Sequence, residues 1–361
     1  MGWNLATLAT FSETDRTNNL DAMRLVGALL VVIGHAFVLT DHLPVPRLAG
    51  IPIQAIGVFV FFSISGYLIA RSWHHDPALG PFLIKRALRI FPALAATVLI
   101  TALVIGPAVS SLAPAEYFAT PGAWSYLSSL SLVPQYELPG VFADNPLPTV
   151  NGSLWTLGLE FVCYLIVAVV GLVARRLAWA GFACLAVVAI CLARLAPEPG
   201  ALARSFGETA IYFAVGALIY WVGPERPLSL VTVAAIVPVW IVCGALWPDV
   251  GVVLSWLAIP VVSLAVGLRR TPVLRRAARF GDLSYGVYLW GYVVQQVVVQ
   301  YFGALPIALN LAIVVPITAA LALGSWHTIE KRALRLKPRA AAERRVLVVP
   351  GVWGPVGGTL L

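Results

Sequence analysis

Leu20–Leu39, LDAMRLVGALLVVIGHAFVL, is the stretch whose reading decides the fold. It is apolar and about as long as the ~20 residues a helix needs to cross a bilayer. It also carries Asp21, Arg24 and His35. A helix turns 100° per residue, so Arg24 and His35 fall within about 20° of one face, roughly 16 Å apart along the axis. Asp21 lies one turn before Arg24 on nearly the same face. Such groups are costly in lipid and look into a protein interior or a wet cavity. The stretch therefore predicts a transmembrane helix that forms one wall of a polar shaft.

Working outward, the composition agrees. Of 361 residues 60% are hydrophobic and 11% charged, and the mean hydropathy is +0.89. A soluble domain carries about 25% charged residues. The fold class is all-α, a polytopic integral membrane protein. Hydropathy and chain breakers predict about ten transmembrane helices, at 20–40, 52–71, 84–106, 153–173, 178–196, 206–222, 228–247, 250–268, 283–302 and 307–329. Cys163, Cys184, Cys191 and Cys243 lie in apolar runs at spacings that suggest neither a metal nor a disulfide framework. The first 19 residues have no signal-peptide core, so the first helix reads as a retained anchor.

The net charge of +8 has two readings, membrane topology or an anionic partner such as nucleic acid. Topology explains most of it, and no nucleic acid is expected. With both termini in the cytoplasm, Arg16, Arg24, Arg71, Lys85, Arg86, Arg89, Arg175, Arg176, Arg226, the arginines from 269 to 279 and the cations from Lys331 to Arg345 all fall inside. Only Arg47, Arg194 and Arg204 fall outside. The chain then divides into a cytoplasmic segment 1–19, a transmembrane domain 20–335 and a cytoplasmic tail 336–361. Within the domain, 107–152 is a long extracytoplasmic connection.

That connection lacks Lys and Arg and is rich in Pro and aromatics, including Trp124. Its apolar piece Trp124–Pro134, WSYLSSLSLVP, is too short to span. Two readings stand for it: an interfacial aromatic belt, or a lid over an acceptor such as a sugar.

Several residues could carry chemistry. A free imidazole titrates near neutrality, so His35 is a candidate to take a proton from a hydroxyl. Glu160, in NGSLWTLGLEFVCYLI (Asn151–Ile166), is an intramembrane acid that would either pair with an arginine or orient a base. Arg86 and Arg89, in FLIKRALRIFPA (Phe82–Ala93), are spaced for one helix face. They would anchor the helix by snorkelling or grip a phosphorylated cytoplasmic ligand. Ser63, Ser65 and Gly66 suit close helix packing. Glu330, beside Lys331 and Arg332, reads as a salt-bridged helix end. No G-x-S-x-G, H-E-x-x-H or P-loop motif occurs, which removes support for a soluble-type serine hydrolase, a metalloprotease and P-loop ATP use. No metal is expected.

Taken together, LDAMR at 20–24 with His35 following as R-x10-H, GVFVFFSISGYLI at 57–69, RALR at 86–89 before FPA, and NGSLWTLGLEFVCYL at 151–165 resemble the membrane acyltransferase-3 family of O-acyltransferases. SYGVYLW at 284–290 and IEK at 329–331 are a weaker echo. The family often has a His after the YLW segment and a Pro after IEK, where this chain has Gly291 and Arg332.

The resemblance implies transfer of an acyl group, usually acetyl, from cytoplasmic acyl-CoA to a hydroxyl of a cell-envelope glycan or a small molecule, in the inner or plasma membrane. It implies His35 and Glu160 as catalytic candidates and Arg24, Arg86 and Arg89 as donor-side arginines; Asp21, on the same helix face as Arg24 and His35, is added to the catalytic candidates from its position. Trp155, Ser65 and Trp124 are the candidate substrate contacts. A different class remains open on the residues alone: a transporter or flippase of a lipid-linked glycan, with the intramembrane charges as a proton relay.

Overall fold

The computed structural model describes residues 18–174, 177–196, 202–223 and 228–338. Arg16, Arg175, Arg176, Arg226 and the tail beyond 338, used above in the charge map, lie outside the described residues.

Ten helices of 17 residues or more follow one another among the described residues. They are α1 Leu20–Leu39, α2 Ile53–His75, α3 Leu79–Ile100, α4 Trp155–Val173, α5 Ala178–Leu195, α6 Leu202–Val222, α7 Leu230–Leu246, α8 Pro248–Gly267, α9 Ser284–Phe302 and α10 Ile307–Ser325. The only strands among these residues are Arg47–Leu48 and Ile51–Pro52, an antiparallel pair between α1 and α2. The protein is an all-α polytopic membrane protein.

Eight of the helices are long and apolar enough to cross a bilayer. The two exceptions have different reasons. Helix α7 has 17 residues, the lower end of the spanning range. Helix α9 has the length, but it carries Tyr285, Tyr288, Tyr292, Gln295 and Gln296, all buried inside the protein. Its amides are spent on backbone carbonyls: Gln295 donates to Val32 of α1 at 2.8 Å and Gln296 to Leu147 and Thr149 at 2.7 and 2.5 Å. A helix buried among helices needs hydrogen-bond partners more than an apolar surface.

Helix α3 begins at Leu79 and continues through a π turn at Thr101–Ile105 to Val109, so it extends past the expected 84–106 at both ends. Helix α10 likewise continues through a π turn at Trp326–Glu330 to Leu334.

Helix α2 is the hub. Two-thirds of its most apolar window (67%) is buried, against 22% for the α10 segment, and it packs against α1, α4, α6 and α8. Small residues let it come close. A Cβ on Gly66 would meet the Phe213 carbonyl of α6, and one on Gly216 would meet the Ser63 carbonyl of α2. Without a hydrophobic force between helices in lipid, such backbone approach is what holds them.

The connection after α3 is folded onto the bundle. It forms short helices at Pro114–Ala119 and Pro121–Ser125 and a 3-10 turn at Tyr126–Ser131, so WSYLSSLSLVP does not span, as its length predicts. Tyr117, Tyr126 and Phe142 are buried. The Tyr117 hydroxyl donates to Ala102 at 2.7 Å, and Asn145 donates to Gln296 at 2.8 Å.

The packing gives a paired expectation. Gly216→Val puts side-chain atoms against backbone that cannot turn aside, and should destabilise the fold by about 1–3 kcal/mol. Gly324→Ala, in α10 with nothing within 4 Å of its would-be Cβ, should be neutral or stabilising by up to about 1 kcal/mol. Thermal unfolding of the two purified variants in one detergent measures both.

Candidate active site

The amino ends of α1 and α9, the first turns of α3 and the far end of α10 meet at one end of the bundle. They enclose a cavity of about 330 Å³. Five cations line it (Arg24, Lys85, Arg86, Arg89 and Lys337) against three carboxylates (Asp21, Glu160 and Asp282).

The centre of the cluster is Asp282, in the connection before α9. Its Oδ2 accepts from Arg89 at 2.6 Å and lies 3.5 Å from the Arg24 guanidinium. Its Oδ1 accepts from the Ser284 hydroxyl at 2.5 Å and from the Ser284 amide at 3.3 Å. Gly281 just before it has φ +103, and a Cβ there would strike the Trp326 indole. That backbone conformation strongly favours glycine, and it presses the loop onto the π turn of α10.

Glu330 ends that π turn. It faces Arg89 at 3.6 Å and accepts from Ser325 at 3.0 Å. The expected pairing of Glu330 with its neighbours Lys331 and Arg332 is therefore corrected. The π turn aims the carboxylate inward, where a buried charge needs a partner.

The three arginines are not equivalent. Arg24 stands between Asp21 at 3.7 Å and Asp282, and Arg89 between Asp282 and Glu330. Among the described residues Arg86 has no carboxylate within ion-pair distance. It reaches the Ser72 hydroxyl at 3.5 Å, its Nε has no partner, and it lies over the Phe82 and Tyr164 rings. Lys85 is paired with Asp76 at 2.8 Å.

Deeper in, Glu160 is held by two hydroxyls. Ser65 donates to its Oε1 at 2.6 Å and Tyr164 at 2.5 Å. Glu160, Phe61 and Tyr285 also wall a constriction of about 40 Å³, whose other wall residues include Val58 and Tyr288. The Tyr288 hydroxyl is fixed by Thr156 at 2.5 Å and by the Ser153 carbonyl at 2.7 Å. Phe61 lies edge-on to it at 5.6 Å with no polar anchor.

Val58 and Tyr288 then border a third cavity, of about 140 Å³, lined by His35, Gln54, Trp155 and Glu208 among others. The His35 ring meets Tyr292 edge-to-face at 4.9 Å. No described residue hydrogen-bonds either ring nitrogen.

Of the sequence-derived candidates, Asp21, Arg24, Ser65, Arg86, Arg89 and Glu160 thus converge on the arginine cavity. His35 and Trp155 converge on the histidine cavity, and the constriction lies between the two, sharing wall residues with each. Glu160 and His35 do not touch, so a direct orienting bond between them is absent. Trp124 lines none of these three cavities; it is exposed, with its indole donating to Phe118 at 2.9 Å. Sequence reasoning missed Asp282, Tyr164, Tyr285 and Tyr288. A signal for Asp282 was available: Arg24 and Arg89 on two helices need a shared acid, and Asp282 is the only Asp or Glu between Asp249 and Glu330.

Residues 17–329 match the acyltransferase domain family designated acyltransferase-3. The chain belongs to the acyltransferase-3 family. It is 29% identical over 347 residues to an O-acetyl transferase of Shigella phage Sf6, covering 91% of this chain and 99% of that protein. It is 28% identical over 364 aligned positions to nodulation protein 10 of Rhizobium leguminosarum bv. viciae, covering 91% and 96%. No solved structure matches it significantly. The protein is a multi-pass membrane acyltransferase, which favours the enzyme reading over the transporter.

In this acyltransferase, Asp282→Asn leaves Arg24 and Arg89 without their shared anion. Breaking a buried pair costs about 3–5 kcal/mol, and the residual exposure of both arginines points to the lower end, about 3 kcal/mol. Asp21→Asn weakens a longer contact to Arg24, 3.7 Å, at a more exposed site and should cost less than Asp282→Asn. Denaturation midpoints of both variants in the same nanodiscs give the comparison.

Proposed function

We propose that the protein transfers an acetyl group from cytoplasmic acyl-CoA to a hydroxyl of a cell-envelope glycan or glycosylated small molecule in the inner or plasma membrane. The observation that carries this reading is the row of cavities from Arg86 to His35. The row follows the α1 face on which helix geometry puts Arg24 and His35 about 16 Å apart, a span comparable to an extended pantetheine arm. The name of the phage relative supports acetyl as the group moved.

In this account Arg86 is the first phosphate ligand, because among the described residues this half-buried guanidinium has no carboxylate partner and can grip phosphate bidentately. Arg24 and Arg89 are balanced by Asp21, Asp282 and Glu330 and hold the walls of the cavity in place. The pantetheine arm runs past Glu160 and Tyr164. The cavity of about 40 Å³ at the constriction has too little room for that arm, so in this account the Phe61 ring turns aside while Tyr288 stays anchored.

The acceptor hydroxyl comes from the other end. His35 takes its proton as the oxygen attacks the thioester carbonyl. The carbon–sulfur bond then breaks, and the CoA thiolate takes the proton from the imidazolium. A base of this kind contributes typically about 10² to 10⁴ in rate. Glu160 acts through the arm-facing hydroxyls of Ser65 and Tyr164 and not through His35. With Asp21 it is a positioning residue here.

Purified protein in nanodiscs with labelled acetyl-CoA tests the reading. His35→Ala should lose about 10² to 10⁴ in turnover with acetyl-CoA affinity retained. Undiminished transfer by folded His35→Ala would sink the mechanism. Arg86→Gln should raise the KM for acetyl-CoA about tenfold with a smaller change in kcat, the scale of one lost charge-assisted bond. An unaltered KM would remove Arg86 from the donor site.

A further inference from the structure

The three cations that the charge map leaves on the outer side, Arg47, Arg194 and Arg204, share one cavity. It has a volume of about 470 Å³ and lies at the end of the bundle opposite the Arg24–Arg86–Arg89 cluster. Its wall is built from separate elements: the strand pair bears Arg47, the end of α5 Arg194, the start of α6 Arg204 and Glu208, and the start of α8 Asp249 and Trp256. Ala55, Phe59 and Glu208 belong both to this wall and to the wall of the His35 cavity. The arginine-lined cavity therefore adjoins the His35 cavity through a shared wall.

Arginines in short outer connections run against the usual inward bias of Lys and Arg, so three of them meeting in one cavity call for a reason. Their partners narrow it. Arg204 is neutralised by Glu208 at 3.1 Å. Arg194 lies over the Trp256 ring at 5.3 Å. Among the described residues, neither Arg47 nor Arg194 has a carboxylate within ion-pair distance. Beside them the part-exposed Phe59 ring is held in place from behind by buried Tyr212, which stacks on it at 4.0 Å and whose hydroxyl meets that of Ser255 at 2.6 Å. Guanidinium groups bind carboxylate and phosphate in a planar fork, and aromatic faces suit the apolar face of a sugar ring.

We infer that this cavity is the acceptor site and that it selects a sugar bearing an anionic group, a carboxylate or a phosphate, held by Arg47 and Arg194 while a neighbouring hydroxyl enters the His35 cavity. The inference rests on the acetyl-transfer reading above and adds the substrate class to it. The anionic group has a second source, an acidic lipid headgroup, and the test separates the two.

The full-length protein is placed in phosphatidylcholine nanodiscs. Binding of methyl glucuronide, glucose 1-phosphate and methyl glucoside is read by tryptophan fluorescence and calorimetry, with no acetyl-CoA present. At least one anionic sugar should bind about tenfold more tightly than the neutral one. Arg47→Gln/Arg194→Gln should abolish that preference while leaving acetyl-CoA affinity unaltered; both side chains are at the surface, so the fold should survive. Each lost charge-assisted bond is worth about tenfold.

Equal affinity for charged and neutral sugars, no binding of either anion, or a preference unaffected by the double substitution would overturn the assignment. Replacing part of the phosphatidylcholine with phosphatidylglycerol supplies the other arm. If the acidic lipid displaces the anionic sugar competitively in the native protein and not in the double variant, the site belongs to a lipid headgroup and the acceptor assignment falls. Because binding is read without turnover, charge-selective binding without acetyl transfer would contradict the transferase mechanism and leave this site standing.

Discussion

The carboxylate of Asp282 is the contact on which the arginine end of the protein depends. One oxygen faces both Arg24 of α1 and Arg89 of α3, and the other is tied to the start of α9. Through Arg89 the network reaches Glu330 and α10. Buried ion pairs are poor sources of net stability, because desolvation cancels much of the attraction. They are strict about geometry, since removing one partner leaves the others uncompensated. A network of this kind holds four helices in one arrangement around a space that must stay open, which close apolar packing would fill.

The same constraint separates the roles of the arginines. Two of them are committed to carboxylates of the chain. Arg86, one helical turn from Arg89, is left with a distant hydroxyl and two aromatic faces. A half-buried guanidinium whose buried Nε has no partner is costly for a resting fold and useful for a site that takes an anion. The committed pairs hold the walls while the uncommitted cation is available to a ligand.

Much of this was legible in the chain, and the parts that were not have physical reasons. Ten helices follow from the apolar runs, because a bilayer demands length and apolarity over local stretches that a sequence displays directly. Helix α9 qualifies by position although its glutamines and tyrosines lower its apolarity; its surroundings are protein, which no local window reveals. The placing of Asp21, Arg24 and His35 along one wall was readable because helical periodicity is local. The partner of Glu330 was not: its neighbours Lys331 and Arg332 are adjacent in sequence, whereas Arg89 is adjacent only after folding and a π turn. Asp282 was hidden for the same reason. Trp124 fits a sugar-stacking residue by type, yet its indole is satisfied within its own loop. Arg47, Arg194 and Arg204 stood out in sequence only as exceptions to a charge rule, and their common cavity required the fold.

The central claim is that donor and acceptor enter a single row of cavities from opposite ends and meet at His35. The most direct measurement is a cryo-EM structure of the protein bound to a non-hydrolysable acetyl-CoA analogue. The account expects phosphate density against Arg86 and the arm passing a displaced Phe61 ring, with the acyl carbonyl beside the His35 imidazole. An analogue whose acyl group ends short of the constriction with Phe61 unmoved, or which enters past Arg47 and Arg194 instead, would contradict it.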